Sequence, residues 1–312
     1  MVRGVVASVV ASFLFGGLYY LAPFLAPLTG EQVFGLRMLM TLPLTTLLLI
    51  YTGQAAGVGA IVQRVRRHWP LAGLLLLSAA LFGVQLWLFL WAPLHGLALP
   101  TSLGYFLLPL AMVLAGRVVF AERLSRMQCL AVTLAAAGVL WEVLRAGGLA
   151  WPTWVVVLGY TAYFVLRRKL RTDTLAGHWL DVLILLPVCL WFVLTGQGTS
   201  NGWQTLLATP RLHILVPLLG ITSSVALALY MTAHKLLPLG LFGMLSYVEP
   251  ILLVLAALLL GERITSGQEP MYVLIGAAVA VMALEGVWQM RSQMRPSVPS
   301  ASVPAPAAST TD

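Results

Sequence analysis

An all-α integral membrane protein of ten transmembrane helices, arranged as two inverted five-helix repeats, is the fold class this sequence predicts. The prediction rests on scarce charge, on apolar segments of regular length, and on a frame of residues that recurs in both halves. Of the 312 residues, 60% are hydrophobic and 9% charged, against about 25% charged in an average soluble domain. The formal charge of +8 points away from nucleic acid. Basic residues on so apolar a chain act as topology signals. Cys129 and Cys189 lie within apolar segments, where a thiol behaves as a small hydrophobe.

A bilayer core needs about 20 apolar residues of helix. Cutting the chain at polar, Gly and Pro clusters yields ten segments near 5–26, 32–52, 70–92, 97–119, 126–145, 151–169, 178–196, 212–234, 238–260 and 271–290. An even number places both termini on one side. With the N-terminus inside, the inner connections and ends collect 14 of the 18 basic residues, among them Arg64, Arg66, Arg67, Arg167, Arg168 and Lys169. The outer loops hold Arg145, Arg211 and Arg263 alone, and Arg37 lies within a span. That bias satisfies the positive-inside rule and predicts cytoplasmic termini. Beyond the helices, 291–312 is rich in Pro, Ser and Ala without apolar periodicity, the composition of a disordered tail.

The repeat shows in "LGYFLLPLAMVLAGRVVFAERLSRMQ" (103–128) and "LSYVEPILLVLAALLLGERITSGQ" (245–268). In each, a Tyr precedes a mid-span Pro (Tyr105 and Pro109; Tyr247 and Pro250), Glu-Arg closes the span, and a Gln follows. The fourth span of each group of five carries this frame. Duplicating an odd number of spans inverts the second copy, a common transporter plan. The expected units are therefore 1–148 and 149–290, followed by the tail. Pro109 and Pro250 are expected to kink their helices near the substrate site, packing kinks being the alternative.

Depth separates expensive charges from cheap ones. Asp181, Glu285 and Glu142 lie near span ends and are expected to anchor at the interface, and Glu122 and Glu262 to form loop pairs with the adjacent Arg. Glu249 lies near the middle of the ninth span, close to the bilayer centre, and Arg37 roughly five residues into the second. An intramembrane charge costs at least ~2.5–3.5 kcal/mol, so each needs a cavity or a partner. Desolvation disfavours ionised Glu249 unless a cation such as Arg37 offsets it. Structural pinning by a Glu–Arg or Glu–Tyr contact and solute or proton handling both remain open. Gln85, Trp87, Trp91, His95 and Tyr105 form a second polar and aromatic cluster. There, Gln85 needs an amide partner in the dry core, and His95 reads as a solvated turn residue. Trp87, Trp151 and Trp154 read as interfacial anchors.

The stretch "WLFLWAPLHG…SLGYFLLPLAMVLAGRVVFAERLSRMQCLAV", followed by "LGYTAYFVLRRKLRT", resembles the RarD group of EamA-type drug/metabolite transporters, with similarity across nearly all of 1–290. The resemblance implies a bacterial inner-membrane exporter or permease for small organic solutes. Two positions depart from the group's pattern: Pro100 stands where members often carry an acid, and Ala121 where Gly precedes Glu-Arg.

The expected function is a secondary carrier working by alternating access, with a small-molecule solute and the lipid bilayer as its partners. Glu249, Arg37, Gln85, Trp91, Tyr105 and Tyr247 would line or gate its cavity. If transport is proton-coupled, Glu249 is the coupling carboxylate. No phosphate-binding loop, Asp-rich motif or His-Glu-x-x-His occurs, so neither ATP, metal nor cofactor is expected. The alternatives are a membrane-embedded enzyme acting on a lipid-like substrate and a non-transporting scaffold or sensor.

Overall fold

The computed structural model describes residues 2–121, 123–195, 201–237, 242 and 245–293. The expectations for Glu122, for the start of the ninth span at 238–241 and for the tail at 294–312 fall outside the described residues. Among the described residues every regular element is helical. In chain order they are α1 (Val2–Leu21), α2 (Gly30–Tyr51), α3 (Ala55–Arg67), α4 (Pro70–Leu94), α5 (Ala98–Phe120), α6 (Arg126–Ala146), α7 (Trp151–Leu170), α8 (Leu175–Leu194), α9 (Gly202–Ala208), α10 (Leu212–Leu236), α11 (Val248–Leu259) and α12 (Glu269–Gln293). Seven are long and apolar enough to cross a membrane: α1 with its 3-10 extension, α2, α4, α5, α6, α8 and α10. Helices α7 and α12 have 20 and 25 residues, and α11 has 12.

Two elements were not expected. The connection after α2 is the amphipathic helix α3, which buries Ile61 against Leu175, Ala176 and Leu180 at the start of α8. Arg64 at its end donates from Nη2 to the carbonyl of Leu170 at 2.8 Å. The connection after α8 holds the short helix α9, capped by Asn201. Both helices escape a hydropathy reading because neither is long or apolar enough to register as a span.

Helix boundaries follow local chemistry. Thr29 and Gln32 close a reciprocal capping box on α2, and Ser125 and Gln128 do the same on α6. Ahead of α12 the Thr265 amide donates to Gln268 Oε1 at 3.1 Å. The Gln shared by the two similar stretches is therefore a capping residue for the helix that follows. Close packing needs small residues. A Cβ on Gly104 would lie 2.6 Å from the Cβ of Val156, so glycine lets α5 and α7 touch.

The main partners cross the boundary between the expected halves. Helix α1 packs on α10 and α11, α2 on α8 and α10, α4 on α7 and α8, α5 on α7 and α11, and α6 on α12. One large core runs between them, built on Leu18, Tyr19, Leu36, Leu88, Phe89, Tyr105, Leu219 and Leu253.

The two prolines behave differently. Pro109 lies inside the continuous helix α5. Pro250 stands instead at the start of a helix. Ser246 and Tyr247 form a turn, α11 begins at Val248, and Pro250 falls in its first turn. There a missing N–H costs little, because the first amides of a helix have no intrahelical acceptor. The expected matched kinks are one proline inside a helix and one helix start.

Candidate functional site

The helix start at Val248 places Glu249 in the first turn of α11, where a carboxylate complements the helix dipole. Its side chain is half-buried. Tyr105 of α5, Tyr160 of α7 and Tyr230 of α10 are its electrostatic neighbours. Tyr230 lies beside Ser246, so the turn before α11 belongs to the same cluster.

Arg37 of α2 has the same tyrosine pair, Tyr105 and Tyr160, as electrostatic neighbours. It is 4% exposed. Its Nε donates to Ser223 Oγ of α10 at 2.8 Å, and its guanidinium carbon lies 5.6 Å from the centroid of the Phe89 ring of α4. Nη1 is buried without a hydrogen-bond partner. No ion pair joins Arg37 to Glu249. The Tyr105 and Tyr160 rings stand 5.7 Å apart, edge to face. Gly104 makes this possible by drawing α5 onto α7 one residue before Tyr105. Arg37, Phe89, Tyr105, Tyr160, Ser223, Tyr230 and Glu249 thus converge from six helices. A buried cation and a half-buried acid flank an aromatic wall.

Of the residues expected to line a cavity, Arg37, Glu249 and Tyr105 are brought together. Gln85 lies elsewhere, between α4 and α7. It is 1% exposed, its Nε2 donates to the Val155 carbonyl at 3.0 Å, and its Oε1 has no partner. It borders an apolar cleft of about 410 Å³ lined by Leu77, Leu81, Val84, Trp154 and Leu158. Trp91 sits near the end of α4 in an aromatic stack, 3.7 Å from the His95 ring, 5.2 Å from Trp87 and 5.7 Å from Trp151. Trp87 Nε1 donates to Glu31 at 3.2 Å. Tyr247 is buried and has Glu285 of α12 as its electrostatic neighbour.

Two acids have roles other than those expected. Asp181 is not an interfacial anchor but fully buried. It accepts from Arg167 Nη1 at 2.6 Å, from the Tyr163 hydroxyl at 3.0 Å and from Ser78 at 3.4 Å. Glu262 does not pair with Arg263. Its two oxygens accept the amide hydrogens of Ala98 and Leu99, each at 2.6 Å, and so cap the start of α5. Glu142 pairs with Arg145 at 2.6 Å, as fits an end-of-helix anchor. The spacing Tyr160, Tyr163, Arg167, one face of α7, was the available signal for the Asp181 cluster. Tyr160 and Tyr230 had no signal beyond being tyrosines inside apolar segments.

No family model matches the chain. An uncharacterized transporter of Pasteurella multocida is 39% identical over 300 residues, which cover 95% of this chain and 100% of that protein. The chloramphenicol-sensitive protein RarD of Pseudomonas aeruginosa is 41% identical over 294 residues, 94% of this chain and 97% of its own. Protein RarD of Escherichia coli is 26% identical over 294 residues. A crystal structure of a protein 18% identical superposes with a TM-score of 0.55, covering 92% of this chain and 98% of its own, a likeness of fold.

Proposed function

This chain belongs to the RarD family of membrane transporters, and from that premise we propose that it is a secondary carrier working by alternating access. The observation that carries the proposal is the convergence of Arg37 and Glu249, unpaired with each other, on the Tyr105–Tyr160 wall. Helices of both halves supply that cluster, as a carrier that opens alternately to either side requires.

The proposed architecture has ten spans in two inverted halves, 1–148 and 149–290, with α3 and α9 as corresponding connections. Its support is a matching of contacts. If α1, α2, α4, α5 and α6 correspond to α7, α8, α10, α11 and α12, the α1–α10 contact mirrors α7–α4. Likewise α2–α10 mirrors α8–α4, and α5–α7 mirrors α11–α1. The charge bias supports cytoplasmic termini. Relatives named as transporters favour a carrier over a membrane-embedded enzyme.

Within this reading Glu249 is the coupling carboxylate, standing at a helix start opened inside the ninth span. One relative's name mentions chloramphenicol sensitivity, so chloramphenicol is the first probe solute, alongside a panel of metabolites and drugs. In proteoliposomes, Glu249→Gln is expected to abolish the pH dependence of flux and slow it at least tenfold. Unchanged rate and pH dependence would remove Glu249 from the mechanism. No flux of any solute by the wild type would defeat the carrier reading.

A further inference from the structure

Arg37 and Asp181 occupy comparable stations. Each lies about two turns beyond the threonine that caps its helix, Thr29 for α2 and Thr174 for α8. Each also meets a serine of a long helix from the other half. Arg37 donates to Ser223 of α10, and Asp181 accepts from Ser78 of α4. Their counter-charges differ. Asp181 has Arg167 at 2.6 Å, and Arg167 Nη2 also donates to the Thr174 carbonyl. Among the described residues no carboxylate pairs with Arg37. Around it stand Ser223 of α10, Phe89 of α4, Tyr105 of α5, Tyr160 of α7 and, in electrostatic range, His178 of α8. Glu249 of α11 shares the tyrosines but forms no pair with it.

A buried guanidinium without a counter-ion is costly in a membrane interior, and Arg167, the other arginine buried among the described residues, has Asp181 as its counter-ion. The vacant group is Nη1, which is buried and lies beyond the Ser223 bond. Guanidinium N–H groups match the oxygens of a carboxylate. The Phe89 ring lies beside it, Tyr105 packs on Phe89 at 5.9 Å and Tyr160 on Tyr105 at 5.7 Å, so a row of rings is there for the remainder of a ligand.

We propose that Arg37 is the anion-binding residue of the carrier and that its solute is an organic carboxylate with an aromatic or apolar body. The carboxylate takes Nη1, and the body lies along Phe89, Tyr105 and Tyr160. This rests on the carrier reading above and names its substrate class. Because Nη1 is sealed in this conformation, the solute reaches it through the movement that opens the transport site.

The test is equilibrium binding of benzoate to the full-length protein in detergent, against benzamide and benzylamine as neutral and cationic analogues. Benzoate is expected to bind at least tenfold more tightly than either. Arg37→Gln should abolish that preference and Arg37→Lys keep part of it. If Arg37→Gln does not fold, the wild-type comparison decides alone. Benzoate binding no better than benzamide, or unaffected in folded Arg37→Gln, overturns the proposal. Neutral or cationic solutes that move in proteoliposomes without carboxylate binding would leave the carrier and remove the anion site. Arg37-dependent benzoate binding with no flux of any solute would keep the anion site and remove the carrier.

Discussion

Glu262 accepts the amide hydrogen of Ala98 at 2.6 Å across 164 residues of chain, and takes that of Leu99 at the same distance. The loop after α11 thereby supplies the cap that α5 lacks locally, since Leu97 at the capping position has no side-chain acceptor. Hydrogen bonds to a charged group contribute about 1.5–3 kcal/mol net each. Glu262→Ala, which removes two such bonds, is therefore expected to lower stability by about 3–6 kcal/mol, read from the midpoint of SDS or thermal unfolding. Arg263→Ala should leave that midpoint within error, because Arg263 is not the partner of Glu262.

The Arg167–Asp181 pair is 3% and 0% exposed. Removing one member leaves the other buried without compensation, at a cost of about 3–5 kcal/mol. Asp181→Asn should destabilise by that amount. Asp181→Asn combined with Arg167→Met should destabilise less than Asp181→Asn alone. An equal or larger loss in the double variant would mean that the pair is not the unit described.

Ala121 ends α5 with φ +54°, and Gly261, the matching residue after α11, has φ +92°. A side chain in the left-handed region costs about 1–2 kcal/mol. Ala121→Gly is expected to raise stability by about 0.5–1 kcal/mol, and Gly261→Ala to lower it by about 1–2 kcal/mol. Paired unfolding curves of the two variants test both signs.

A Cβ on Gly159 would collide with the Gln85 amide. Gly159→Ala should therefore dislodge Gln85 from the Val155 carbonyl and separate α4 from α7, at about 1–3 kcal/mol. Adding Gln85→Ala relieves the collision, so the two changes should couple rather than add in a double-mutant cycle. Strict additivity would contradict the contact.

The amino-acid sequence by itself determined that this is a helical membrane protein, where its long apolar helices fall, and the family to which it belongs. Those properties are local: hydropathy, capping residues and charge bias act over one helix and its flanks. It also singled out Arg37 and Glu249 as deep charges that need a cavity or a partner, because depth in an apolar span is legible from the sequence. Which groups meet those charges is decided between helices far apart in the chain. Ser223 is 186 residues from Arg37, and Tyr160 and Tyr230 look in sequence like any other tyrosine of an apolar helix. Only the tertiary structure starts a helix at Val248, pairs Asp181 with Arg167 and turns Glu262 onto α5. Each of these arises where a charge or an unpaired backbone group, denied water, takes the nearest partner that packing brings within reach.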